Sequence, residues 1–155
     1  MNTIDIYGDI GESMFGDSVS AVDVKALLDD MEGDVTVRIN SGGGDVFDGI
    51  AIYNLLDQHD GKVNVKIDAW AASSASVIAM AGDTIEMANN SLMMIHDPWT
   101  ISLGDSGDMR KTADLLDKIR DSIVTTYKSK SDLSADDISA MMKDETWFNS
   151  DEAIS

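Results

Sequence analysis

The stretch that decides the fold is Asp68-Ala69-Trp70-Ala71-Ala72-Ser73-Ser74-Ala75-Ser76-Val77-Ile78-Ala79-Met80-Ala81-Gly82. An alternating run, Val63–Ile67, comes directly before it and is typical of a strand. After Ala72 the alternation stops, and small or aliphatic side chains continue up to Gly82, which can end a helix. The pattern therefore predicts a strand, a sharp turn and a buried helix, with serine at the turn.

A serine at such a turn is placed for nucleophilic chemistry. The first N–H groups of a helix lack intrahelical partners, and the helix dipole favours negative charge there. These N–H groups suit a nucleophile whose attack creates an oxyanion. Taken alone, however, the stretch is more typical of a core helix whose serines act as caps, and the rest of the chain decides between the two interpretations.

Strands and helices alternate in the first half of the chain. Ser20 and Asp23 form a predicted capping box at the start of an amphipathic helix. The predicted order is a strand from Ile4, this helix, a strand over Val35–Asn40, a helix over Asp45–Gln58 and the Val63 strand. Such alternation indicates βαβ units on a largely parallel sheet, hence an α/β fold.

The second half is predicted to add short strands and a long helix. The strands are Thr84–Met87 and Leu92–Ile95, and the helix runs from about Asp108 to Lys130 with an apolar stripe. A short helix follows Ser134. The residues 150–153 begin a helix that the chain does not finish, so we expect one domain over 1–155 with a truncated C-terminal end.

Composition excludes several classes of function. The chain has 11 basic and 29 acidic residues and a formal net charge of -18, which argues against nucleic acid and anionic membranes as partners. It has no cysteine, which excludes disulfides and thiolate metal sites. No apolar run reaches bilayer length and no signal peptide is recognisable, so we expect a soluble protein that is not secreted.

Three glycines and one histidine are candidates for the chemistry. Gly42, Gly43 and Gly44 follow a strand, but no Gly-Lys-Ser/Thr follows them, so they do not form a phosphate loop. They fit either a tight turn or a backbone donor for an oxyanion. Of the two histidines, His59 is expected at a solvated helix end, whereas His96 closes an apolar strand and is the candidate base.

Three motifs carry a resemblance to a known family. Ile39–Gly44 resembles Ile-Asn-Ser-Pro-Gly-Gly, Ala69–Ser73 resembles Gly-x-Ala-Ala-Ser, and Met94–Pro98 resembles Met-Ile-His-Gln-Pro. In this order and spacing they resemble the caseinolytic Clp protease catalytic subunits. The chain is most similar to the ClpP-related head-maturation proteases of tailed phages and prophages, from about Ile4 to Ala153.

The resemblance implies a serine endopeptidase with an acyl-enzyme mechanism. Ser73 would be the nucleophile and His96 the general base, and the backbone N–H groups of Gly44 and Ser74 would form the oxyanion hole. No metal or cofactor is implied. The implied fold is the ClpP/crotonase superfold, with repeated β-β-α-like units, a largely parallel sheet and a long protruding helix.

The resemblance also implies partners. Related proteases form homo-oligomers, typically a heptameric ring or a double ring, in which the long helix would meet the facing ring. The implied polypeptide substrate is a capsid or scaffold protein of a phage head, processed in the bacterial or phage-infected cytoplasm. An ATPase unfoldase is a further partner that the sequence leaves open.

One departure from the family pattern concerns the third catalytic position. The family has an aspartate where this chain has Thr146, whose hydroxyl can accept a proton from imidazole but cannot stabilise imidazolium as a carboxylate does. Thr146 is the expected orienter of His96, a Ser-His dyad is the close rival, and Asp144 or Glu145 are alternatives outside the alignment.

Other functions remain open at this stage. The first is a non-catalytic assembly subunit, which Thr146 favours. The second is a housekeeping Clp subunit that works with an ATPase. A crotonase-type acyl-CoA enzyme is the third, although it leaves Ser73 and His96 without a role.

Overall fold

The architecture is a parallel sheet with helices, seen in a computed structural model that describes residues 2–13 and 16–154. The strands are β1 Asn2–Tyr7, β2 Asp9–Ile10, β3 Ser18–Val19, β4 Val35–Ser41, β5 Val63–Ala72, β6 Thr84–Met87, β7 Leu92–Ile95 and β8 Thr146–Asn149. The helices are α1 Ala21–Asp29, α2 Val46–Asp57, α3 Ser74–Ala79, α4 Ser106–Lys128 and α5 Ala135–Lys143, followed by a short 3-10 turn at Glu152–Ile154.

Strand β5 is the centre of the main sheet. The strand order is β1-β4-β5-β7-β8, and β6 pairs with the first part of β5 while β7 pairs with its last part. The pairings of β1 with β4 and of β5 with β4, β6 and β7 are all parallel. The predicted α/β class and largely parallel sheet are therefore confirmed, and the ends of β4, β5 and β7 lie at one edge.

Two compact units divide the chain. The first runs to Ile95 and resumes at Trp147, and the second is His96–Thr146. In the first unit, alternate side chains of the strands form the core; they are Ile4, Ile6, Val35, Val37, Ile39, Val63, Val65 and Ile67. The prediction of one domain over 1–155 stays a prediction.

The second unit is built on the pairing of α4 with α5. Side chains from the C-terminal part of α4 are buried together with Ile138 and Met142 of α5; they are Ile119, Ile123, Val124 and Tyr127. The predicted stripe extends further than this buried face, because Leu115 is 49% exposed. The long helix also begins earlier than predicted, because the Asp105 carboxylate caps it by accepting from the N–H groups of Gly107 and Asp108.

Helix starts are the local features that the sequence predicted best. The capping box of Ser20 and Asp23 is present at α1, and a second one joins Ser134 to Asp137 at α5. Within the described residues, none of the helices combines the length and the apolar character that crossing a bilayer requires.

Polar residues line the face of the sheet opposite the core. The Tyr7 hydroxyl donates to Asp68 Oδ2 at 2.6 Å, and Arg38 binds both carboxylate oxygens of Asp68 at 2.7 and 3.0 Å. Burial works to raise the pKa of the Asp68 carboxyl, but the hydrogen bonds from Tyr7 and Arg38 outweigh it and hold that pKa below its usual value. This network links β1, β4 and β5.

The lowered pKa of Asp68 predicts a stability that depends on pH. A carboxyl with a lower pKa in the folded state stabilises the fold above its unfolded pKa, and the contribution is lost as the pH falls through the folded pKa. Asp68→Asn should therefore lower the melting temperature by a few degrees at neutral pH, and the difference should disappear in acid. Thermal unfolding at a series of pH values measures this difference. Asp5→Asn, which changes a carboxylate on the same face of the sheet, is the control. A difference that persists unchanged into acid would contradict it.

Candidate active site

Ser73 occupies the sharp turn between β5 and α3. Its backbone has φ 55° and ψ −128°, a combination that is rare for any residue other than glycine. Its N–H donates to the Met94 carbonyl of β7 at 3.0 Å, and its carbonyl accepts from the Ser76 hydroxyl at 2.6 Å. Such strain costs roughly 1–3 kcal/mol and persists where the surroundings enforce it, which is common at functional sites.

The glycine loop lies directly against this turn. Gly43 has φ +95°, and a β-carbon built on it would lie 2.7 Å from Cβ of Ser73 and 3.1 Å from the backbone nitrogen of Ser74. Gly44 has φ +154° and faces Ile10 instead, with which it forms a parallel bridge. Gly43 is therefore the loop residue that contacts the turn, one position before the predicted donor.

The backbone N–H groups of Ser74 and Gly44 lie near the turn and have no acceptor among the described residues. The Gly43 N–H donates to the Ser41 hydroxyl at 3.1 Å, and that hydroxyl donates to the Gly8 carbonyl at 2.6 Å. Ser41 is buried and thus anchors the loop to the end of β1.

The Ser74 side chain has a different environment from its backbone. Its hydroxyl is buried and has no hydrogen-bond partner in the described part of the chain. A β-carbon built on Gly49 of α2 would lie 2.7 Å from the Ser74 Cβ, so the two helices are in close contact at this point. The side chain therefore packs against α2, while the backbone N–H stays available at the start of α3.

His96 is the first residue after β7 and the first of the second unit. Its imidazole is mostly buried, and Nδ1 lies 3.8 Å from Oε2 of Glu145, which is itself largely exposed. Glu145 has φ 49°, so its backbone is left-handed like that of Ser73. Within this unit the structure thus places a carboxylate beside the candidate base.

Thr146, the predicted orienter, makes a different contact. Its hydroxyl donates to the Met141 carbonyl at 2.7 Å, so its proton is used to hold the end of α5. Asp144 is the C-cap residue of α5, and its N–H donates to the Ala140 carbonyl. The roles predicted for Ser73, His96, Gly44, Ser74 and Thr146 remain proposals.

A pair of tryptophans adjoins the glycine loop in the first unit. The rings of Trp70 and Trp147 stack with centroids 6.4 Å apart and planes 7° apart. A β-carbon built on Gly42 would lie 2.8 Å from the Trp70 ring. Sequence reasoning missed this stack, because the two residues are far apart in the chain and neither belongs to a periodic pattern.

The described residues hold no group of three or more His, Asp or Glu side chains that could bind a metal ion. The resemblance implied an oxyanion donor at Gly44 and gave Gly43 no separate role, because only the fold shows which glycine meets Ser73. The left-handed conformation of Glu145 has no local sequence signal either, since glycine or asparagine is usual there.

Comparisons with known proteins place the chain beside one family. A sequence model of the Clp protease family matches residues 2–155. The ATP-dependent Clp protease proteolytic subunit of Bacteroides fragilis is 30% identical over 122 residues, which are 77% of this chain and 59% of that protein. The corresponding protein of Deinococcus radiodurans is 28% identical over 145 residues, 92% of this chain and 71% of that protein.

A solved structure extends the similarity to the fold. A ClpP1 mutant from Listeria monocytogenes superposes with a TM-score of 0.83 at 25% identity, covering 98% of this chain and 85% of that one. The aligned part covers less than two thirds of the Bacteroides fragilis relative's own length.

The contact between Gly43 and Ser73 gives a stability prediction. Gly43→Ala should destabilise the protein more than Gly33→Ala does, because both glycines have a positive φ but a β-carbon on Gly33 meets nothing within 4 Å. The left-handed conformation alone costs alanine roughly 1–2 kcal/mol, and overlap with Ser73 adds to this at Gly43 only. Chemical denaturation of both variants measures the difference. Equal losses would show that the loop does not depend on contact with the turn.

Proposed function

Because this chain belongs to the Clp protease family, we propose that it is a serine endopeptidase in which Ser73 is the nucleophile and His96 the general base. One observation carries the proposal: Ser73 stands in a strained backbone conformation at the end of β5, against a glycine loop and beside N–H groups that have no acceptor in the described part of the chain. A serine that served only as a helix cap would bond the backbone of α3, but Ser73 makes no such cap bond.

The proposed reaction proceeds through an acyl-enzyme. Ser73 Oγ attacks the scissile carbonyl carbon, and His96 takes the hydroxyl proton. The oxyanion is stabilised by the N–H of Ser74 and by one from the glycine loop, predicted at Gly44 and adjoined by Gly43. His96 then protonates the leaving amine, and water hydrolyses the ester. Side chains, backbone N–H groups and water supply every group, so we propose no metal or cofactor.

Labelling with a fluorophosphonate tests the nucleophile. Ser73 should displace fluoride and form a phosphonyl ester, which mass spectrometry of peptides would locate. Ser73→Ala should abolish labelling, and His96→Ala should slow it by about 100-fold or more because the base is lost.

Matched controls come from the same chain. Ser106→Ala removes an exposed serine, and His59→Gln replaces the other histidine, whose Nε2 is 2.7 Å from the Gly33 carbonyl. Both should label at the rate of the parent. A folded oligomer that shows no label on Ser73 would refute the protease proposal and favour a non-catalytic assembly subunit, which the absence of an aspartate at position 146 also favours.

The natural substrate and partners form a finer proposal. We propose that the chain assembles into a heptameric ring or double ring and processes capsid or scaffold proteins of a phage in the infected bacterial cytoplasm. The support is the set of motifs that end at Gly44, Ser73 and Pro98. The names of the curated relatives, ATP-dependent proteolytic subunits, favour the alternative of a degradative enzyme that works with an ATPase.

The products from an unfolded protein distinguish these two functions. A processing protease should cut β-casein at a few sites and leave large fragments, whereas a degradative chamber should convert it to short peptides. We expect large fragments, seen by mass spectrometry over time, and Ser73→Ala should produce none. Complete conversion to short peptides without any ATPase would contradict the processing role.

A further inference from the structure

We propose that Glu145, not Thr146, is the positioning residue that orients the His96 imidazole. The inference rests on the proposed function, since it concerns the base of that reaction. Its first support is proximity, because Glu145 Oε2 lies 3.8 Å from His96 Nδ1. In a histidine that acts as general base through Nε2, Nδ1 is the ring atom that bonds the orienting residue. At this distance the two groups form an ion pair when the ring is protonated, and catalytic hydrogen bonds commonly shorten when the substrate binds.

The backbone around Glu145 gives the second support. The Met142 carbonyl accepts from the N–H of Glu145 and from the N–H of Asp97, both at 3.1 Å. Asp97 directly follows His96. The Met142 carbonyl therefore binds both the segment that carries the base and the segment that carries the Glu145 carboxylate. Met142 itself is almost fully buried, at 1% exposure, which anchors this carbonyl in the second unit.

The conformation of Glu145 is the third support. It follows the C-cap residue Asp144 with φ 49°, at a position where glycine avoids the steric cost that a β-carbon brings. A glutamate that served only the fold would gain from replacement by glycine. The carboxylate is therefore kept at a cost to stability, which is the pattern expected of a functional side chain.

The contacts of Thr146 complete the argument. Its hydroxyl proton goes to the Met141 carbonyl, so the residue secures the end of α5. Glu145 then supplies the negative charge that a threonine lacks. It accepts a hydrogen bond from Nδ1–H, keeps Nε2 available for the Ser73 proton and stabilises the imidazolium, without taking a proton itself.

Inactivation kinetics with the fluorophosphonate test this role in the full chain. Glu145→Gln should lower the maximal inactivation rate by about tenfold or more, and the concentration for half-maximal rate should not change, because Glu145 acts through the base. Glu145→Asp should retain more of the rate than Glu145→Gln, since it keeps the charge. Asp144→Asn is the matched neighbouring carboxylate and should keep the maximal rate of the parent, and Thr146→Val should lose less of that rate than Glu145→Gln does.

Glu145→Gly separates positioning from structure. It should react as slowly as Glu145→Gln yet melt at the same or a higher temperature, because the left-handed strain is relieved. An unchanged rate in Glu145→Gln, or a larger loss in Thr146→Val or Asp144→Asn, would overturn the inference while leaving Ser73 as nucleophile. A parent that never labels at Ser73 would remove the proposed function and this inference together.

Discussion

The close approach of the glycine loop to the turn at Ser73 is the constraint on which the site depends. Strands β4 and β5 are parallel neighbours, so the glycine loop that follows β4 and the turn that follows β5 meet at one edge of the sheet. A side chain at position 43 would overlap Ser73, and a regular backbone at Ser73 would not turn β5 into α3. The loop and the turn therefore hold each other in conformations that neither segment would adopt alone. The hydrogen bond from Ser73 N–H to Met94 ties the same turn to β7.

Small residues make the packing behind this turn possible. Every residue of α3 is buried, and the helix touches α2 where Gly49 faces Ser74. A larger side chain at Gly49 would push α3 away and carry the Ser74 N–H with it. The buried Ser74 hydroxyl has no hydrogen-bond partner among the described residues, and it costs about 1–3 kcal/mol that an alanine would not.

The sequence predicted the elements well because their signals are local. Alternation identified β1, β4 and β5, and side-chain caps such as Ser134 marked the helix starts. The parts that were missed depend on contacts between distant residues. No local sequence feature distinguishes Gly43 from Gly44 as the glycine that meets Ser73. The residues around Glu145 likewise do not indicate a left-handed backbone. The choice of Thr146 followed from alignment to a family pattern, whereas the contacts of its hydroxyl depend on where α5 ends.

The departure from the family pattern at Gly42 is coupled to the position of Trp70. The family has proline at the position of Gly42, and proline stiffens a loop by fixing φ. Here a β-carbon at that position would lie 2.8 Å from the Trp70 ring, so the ring would have to shift to make room for a proline. The ring instead covers Gly42 and stacks on Trp147, at the start of β8. Packing of the Trp70 ring thus takes the place of the stiffness that a proline would give. The loop that faces Ser73 is held by a residue that lies outside the loop itself.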